Sequence, residues 1–243
     1  MPDSFELDFS DIKVKNQGSV SSCVAHAMST ILEYHAHSNY QLSTNFIYGI
    51  RKALYNQQGK GMYLRDACKI VANYGDPLLA DCPGNNEISK VYEIAEIAMS
   101  NDKIMNTASA FRIKSYFSCN TIDEIKTALI NYGPVLISVK WFKDYKVVDG
   151  VLTGGNSEPS GYHALVCYGY TPEGLLIQNS WGKYWGDEGR FILPYSIKVR
   201  EARGIVDLAN DEYLPPKKPN KVLNSLYKML NTIINFVRDI LKI

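Results

Sequence analysis

Four side chains in this sequence combine a reactive type with a suggestive spacing: Gln17, Cys23, His163 and Asn179. A thiol becomes a strong nucleophile when it is held as thiolate, and a helix N-terminus with a cationic imidazole lowers its pKa from ~8.5 into roughly the 3.5 to 7.5 range. Cys23 stands where a helix should open, at the head of SCVAHAMSTILEYHAH. Alone it carries little, because an unpaired cysteine serves equally as a small buried hydrophobe. Gln17 precedes it by six residues with Gly18 between. Its carboxamide there can donate to a developing oxyanion beside the Cys23 backbone N–H.

Among the four histidines, His163 is the one placed to act as a base. It opens the apolar run HALVCYGY, and Asn179 follows sixteen residues later in QNSWGKYWGDEGRF. A strand, a turn at 171–174 and a returning strand bring the two side chains together, so that Asn179 can fix the imidazole tautomer as the third member of a triad. A core histidine beside a turn asparagine is the other reading of the same spacing. His26 lies on the helix of Cys23 and reads as a packed or surface residue. His35 and His37 fall near that helix's far end, where they complement its dipole.

The elements that must carry these groups follow from periodicity. Residues 22–37 contain no Gly or Pro and space Val24, Met28, Ile31 and Leu32 as on a helix, with Ser22 available as a cap. Further helices are expected at 43–55, 62–74 and 87–99. A fifth covers 121–131, opened by Thr121 with Glu124 three residues later and closed by Gly133-Pro134. VLISVKW, YHALVCYGY, GLLIQNSW and RFILPY are short, β-branched or aromatic, and read as strands. A mainly helical lobe over 22–110 and a mainly β lobe over 111–214 make an α+β chain. Residues 215–220 form a stiff Pro/Lys linker. Beyond it, 221–243 repeats in sevens, with positions 223, 226, 230, 233, 237 and 240 on one seam and apolar neighbours on both sides. That is the pattern of an amphipathic helix with a broad apolar face.

Composition narrows the function classes. The 243 residues are 46% apolar and 21% charged, which suits a globular chain. With 26 basic and 25 acidic residues, net +1, the chain is not a nucleic-acid binder that works by phosphate neutralisation. The cations concentrate after 214, where the tail carries net +5. Self-association, docking onto the catalytic lobes and contact with an anionic membrane surface are the roles open to it. Cys23, Cys68, Cys82, Cys119 and Cys167 are odd in number and widely spaced. They suggest no zinc site, no complete disulfide framework and a reducing compartment. The start of the chain lacks the pattern of a secretory signal, so residence in the cytoplasm or another reducing compartment, a viral setting included, is expected.

QGSVSSCVAHA, GYHALVCYGY and QNSWGKYWGDEGRF, in this order and at these separations, resemble the papain-like (C1) cysteine peptidases. The resemblance runs from about Asp11 to Asp207. It implies the two-lobed papain-like fold and a thiol peptidase that needs no metal or organic cofactor and acts on a peptide or protein substrate. By the same resemblance Cys23 is nucleophile, His163 general base and acid, Asn179 orienter and Gln17 oxyanion donor. Trp181 covers the Asn/His hydrogen bond, and Gly61 pairs with substrate backbone. Val20 and Val24 stand where secreted members have a cysteine and a tryptophan, so the chain looks closer to a cytosolic, bacterial or viral branch than to lysosomal cathepsins. The long prosegment of secreted relatives is not seen before the match. Residues 80–110 lack the His-rich insertion of dipeptide-removing relatives, which favours endopeptidase action. Two other readings stay open: a silent papain-fold peptide binder, and amide or acyl transfer on a small substrate.

Overall fold

The computed structural model describes residues 1–37, 40–57 and 59–208. The expected linker at 215–220, the amphipathic segment 221–243 and the stretch 209–214 lie outside the described residues. A two-residue strand β1 (Phe5–Glu6) comes first, and then α1 (Cys23–His35), α2 (Thr44–Tyr55), α3 (Leu64–Asn73), α4 (Ile88–Met99) and α5 (Asp102–Ser109). β2 (Ile113–Ser118) and α6 (Ile122–Tyr132) lead into β3 (Val135–Phe142), β4 (Lys146–Val148), β5 (Val151–Thr153), β6 (Pro159–Tyr170), β7 (Gly174–Gln178), β8 (Arg190–Pro194) and β9 (Val199–Leu208). The α+β class follows from this order.

The five expected helices form within two residues of their expected ends. Thr121 caps α6, its Oγ1 accepting from the Glu124 N–H at 3.1 Å. Ser22 departs from expectation. It occupies the N-cap position of α1 but makes no side-chain cap. Its hydroxyl lies instead 3.3 Å from the Val20 carbonyl and 3.2 Å from His26 Nδ1. Ser22 therefore covers none of the first N–H groups of α1. Helix α5 was not anticipated, because it is short and largely polar. Its signal is Asn101, whose side chain accepts from the Lys103 and Ile104 N–H groups. Strands β2 and β9 were also missed. Their sequences IKSYFS and VREARGIVDL carry charges that hide the alternation, and they become strands by pairing with each other and, for β9, with β3.

One sheet runs β2-β9-β3-β6-β7-β8-β5-β4, with β1 added on β6. Every pair is antiparallel except β5 with β8. The central strands β3 and β6 read as nearly unbroken apolar runs because both faces are covered. Alternation divides them between two cores. Leu136, Ala164, Val166 and Tyr168 join the helical core of α1 to α4, whereas Val135, Ile137, Leu165 and Cys167 join a second core with Leu129 of α6. The long central helix α1 is buried along almost its whole length, and it packs on β6 between the two.

Close approach governs the turn after α3. Gly75 has φ +77°, and a Cβ there would stand 1.8 Å from the Ala108 carbonyl oxygen. Gly75→Ala is expected to destabilise the fold by more than ~2 kcal/mol, read as a lowered urea midpoint at unchanged m-value.

Candidate active site

Cys23 is the first residue of α1, with its side chain against the sheet. The hydrogen-bonding neighbours of its thiol are the backbone of Ala164, of Val24 and of Cys23 itself. Ala164 follows His163 on β6, so the end of the helix that carries the thiol meets the strand that carries the imidazole.

His163 is buried on β6 opposite Val139 of β3. Strand β7 returns beside β6 in the register Val166 to Gln178, which delivers Asn179 next to His163. His163 Nε2 and Asn179 Oδ1 are 2.7 Å apart. The same Oδ1 accepts from the Ser180 backbone N–H at 2.8 Å. A backbone N–H can only donate, so the carboxamide orientation is set, and its oxygen faces the ring. His163 Nε2 must then carry the proton, which leaves Nδ1 as the basic nitrogen. Trp181 stacks on the imidazole with centroids 4.7 Å apart at 28°, and Trp141 meets it edge-on at 4.9 Å and 74°. These indoles keep water from the hydrogen bond behind the ring.

Gln17 is fixed by the same turn. Its N–H donates to the Ser180 carbonyl at 2.8 Å, and the Gly182 N–H donates to the Lys15 carbonyl at 2.9 Å. Its Oε1 accepts from Ser180 Oγ at 2.6 Å, while Nε2 donates to the Val20 carbonyl at 3.0 Å. One Nε2 hydrogen remains after that bond. Lys15 holds the segment to α1 through Glu33, whose Oε1 accepts from Lys15 Nζ at 2.6 Å and from the Leu42 N–H at 2.7 Å.

A cleft of about 660 Å³ is lined by Cys23, Gly61 and His163, with Met62, Ser138, Arg200 and Glu201 among its other walls. Cys23, His163 and Gly61 thus share one cavity, and Asn179 and Trp181 stand behind the imidazole. Gln17 is not among the cleft's lining residues. It lines a neighbouring groove of about 590 Å³ together with Ser22 and His26. Sequence reading missed Ser180, which ties Gln17 to Asn179, and Trp141, which closes the second side of the ring. Ser180 was open to notice as the neighbour of Asn179, whereas nothing in the local pattern of Trp141 announces its partner. Among the described residues no group of His, Cys, Asp and Glu is arranged to hold a metal ion. All five cysteines are free and buried.

Burial dominates the electrostatics. It pushes the Cys23 thiol above its ordinary value, against weaker opposing hydrogen bonds from the Ala164, Val24 and Cys23 backbone. It draws His163 down to about 4, with the Asn179 hydrogen bond opposing. Both shifts favour a neutral thiol beside a neutral imidazole. His26 is likewise drawn to about 4 by burial.

Comparison with known proteins agrees with this architecture. Residues 1–205 match the family model for papain family cysteine proteases. An uncharacterized peptidase C1-like protein of Acanthamoeba polyphaga mimivirus is 25% identical over 234 residues, covering 86% of this chain and 71% of that protein. The viral cathepsin of Adoxophyes honmai nucleopolyhedrovirus is 26% identical over 193 residues, 76% of this chain and 54% of that one. Among solved structures, xylellain, a cysteine protease from Xylella fastidiosa, superposes with a TM-score of 0.70 at 20% identity over 86% of this chain and 87% of its own. The Carica candamarcensis cysteine protease CMS1MS2, solved with E-64, gives 0.63 at 19% identity over 86% and 100%. These structures share the fold, and the family model covers most of the sequence: the chain belongs to the papain family of cysteine proteases.

Proposed function

We propose that Cys23, His163 and Asn179 act as a triad that hydrolyses peptide bonds through a thioester, with endopeptidase action on a peptide or protein substrate. The observation that carries this reading is the double acceptance by Asn179 Oδ1, which assigns the proton to His163 Nε2 and leaves Nδ1 as base. Because burial favours the neutral pair, the thiol gives up its proton to Nδ1 as sulfur attacks the carbonyl carbon. The developing oxyanion is taken by the Cys23 N–H and the free Nε2 hydrogen of Gln17, at a helix end that Ser22 leaves uncapped. The imidazolium then protonates the leaving amine as the C–N bond breaks. In the second half His163 removes a proton from water, the oxygen attacks the thioester carbon, and the thiol is restored as the carboxylic acid leaves. For the endopeptidase preference, the support is the lack of any histidine in residues 80–110.

The pH dependence tests the assignment of the base. Activity requires neutral imidazole, so kcat/KM falls as pH drops through the pKa of His163 in the free enzyme. With that group near 4, the acid limb of kcat/KM on an internally quenched peptide is expected at about 4. A limb centred on the ordinary histidine value would show that burial does not depress this imidazole, and the absence of any acid limb above pH 3 would remove His163 from the base role. The same peptide separates hydrolysis from silent binding.

A further inference from the structure

Gly61 stands on the cleft wall with Cys23 and His163, yet the segment that carries it has little structure of its own. Residues 59–62 belong to no helix or strand, and among the described residues no backbone–backbone hydrogen bond fixes Gly59, Lys60, Gly61 or Met62. Gly61 has φ +82°, and a Cβ there would meet nothing within 4 Å. A segment so free should wander, and a wandering wall binds extended peptide poorly, because its ordering cost falls on each binding event.

What holds it is a side chain from behind. Arg51 of α2 is completely buried. Its Nε donates to the Gly61 carbonyl at 3.0 Å and its Nη2 to the Gly59 carbonyl at 2.6 Å. Nη1 spans the Tyr48 carbonyl and the Tyr92 hydroxyl, both at 3.1 Å. The guanidinium lies 3.7 Å from the Tyr48 ring centroid, and the Gly61 backbone also meets the Tyr48 hydroxyl. All these acceptors are neutral. A buried cation is costly, and here its desolvation is offset by loop carbonyls and an aromatic face rather than by a carboxylate. The planar fork reaches two carbonyls two residues apart on one loop, which a lysine ammonium cannot do in one geometry. A carbonyl has two lone pairs, so the Gly61 oxygen can accept from Arg51 on its buried side and still offer the other to a peptide N–H.

We propose that Arg51 is a positioning residue that pre-forms the substrate-backbone wall at 59–61 without touching substrate or the reacting atoms. The inference rests on the peptidase reading above. Contacts to substrate backbone form in ground and transition states alike, so their loss raises KM and leaves kcat nearly unchanged.

The test compares the wild type with Arg51→Lys and Arg51→Met in the full chain, on one internally quenched peptide and on iodoacetamide, which needs no peptide-binding wall. Arg51→Met is expected to raise KM roughly 10- to 100-fold, the loss of charge-assisted hydrogen bonds, with kcat within about threefold and Cys23 alkylation unchanged. Arg51→Lys should fall between, with KM up about threefold or more. Wild-type KM in both variants overturns the proposal. So does alkylation that slows in step with peptide cleavage, which would make Arg51 general support for the site. If Arg51→Met does not fold, the lysine variant decides by the same two measurements. If the wild type cuts no peptide, the peptidase reading fails by itself. Hydrogen exchange at 59–62 then judges the wall: faster exchange there with α1 protection unchanged sustains it, and equal exchange ends it.

Discussion

Cys23→Ala is expected to cut peptide no faster than background, a loss on the order of 10⁴-fold or more, and His163→Ala should fall nearly as far. The two losses should not add, since nucleophile and base act as one unit and the second deletion finds little left to remove. Structure gives the control. Cys23 is only 9% exposed but small, so its replacement by alanine removes one sulfur and leaves α1 and its packing intact. Unfolding midpoints of Cys23→Ala and wild type should therefore lie close together while activity differs by orders of magnitude. The assays are cleavage of an internally quenched peptide and covalent labelling by an epoxide at neutral pH. Retained cleavage by Cys23→Ala would end the triad reading, and so would labelling of Cys23 that is as fast in His163→Ala as in the wild type.

Gln17→Ala is expected to lower kcat by 10² to 10³, the usual cost of one oxyanion donor, with KM little changed. Alanine alone is ambiguous, because it also strips the acceptor from Ser180 Oγ and the donor from the Val20 carbonyl. Gln17→Glu separates the roles. The carboxylate still accepts from Ser180 but offers no hydrogen to an oxyanion and places a negative charge beside it. Glutamate should cost at least as much as alanine. Near-wild-type kcat in Gln17→Glu would show that Gln17 serves only to hold the turn at 180–182.

How much of this was legible beforehand depends on whether the signal was local. The helix that opens at Cys23 and the strands flanking the 171–174 turn announce themselves by period and punctuation, so the elements bearing Cys23, His163 and Asn179 could be placed without coordinates. The α+β class and the family followed from the same stretches. Ser22 shows the limit: its type is right for a cap, but the hydroxyl goes to Val20 and His26, a competition between neighbours that propensity does not rank. The balance of forces on the Cys23 thiol was out of reach for a related reason. A helix N-terminus and an imidazole argue for charge, whereas desolvation between helix and sheet argues against it, and burial cannot be read from spacing. Trp141 was beyond reach because its partners lie far along the chain, and Arg51 because its burial shows only in the packed fold, although Tyr48, Gly59 and Gly61 are near it in sequence. An arginine in IYGIRKALY looks like an exposed helical residue until its helix is packed.

The backbone pairing of 15–17 with 180–182 has a bearing on how the molecule is made. The thiol leaves the ribosome 140 residues ahead of the imidazole, and the turn that braces both comes later still. At 5 to 20 residues per second that interval is roughly 7 to 28 s. Throughout it the growing polypeptide holds Cys23 and Gln17 without the imidazole of His163 or the carboxamide of Asn179. On the triad proposed above, translation order leaves a nascent copy without its base until the sheet closes on its own beginning.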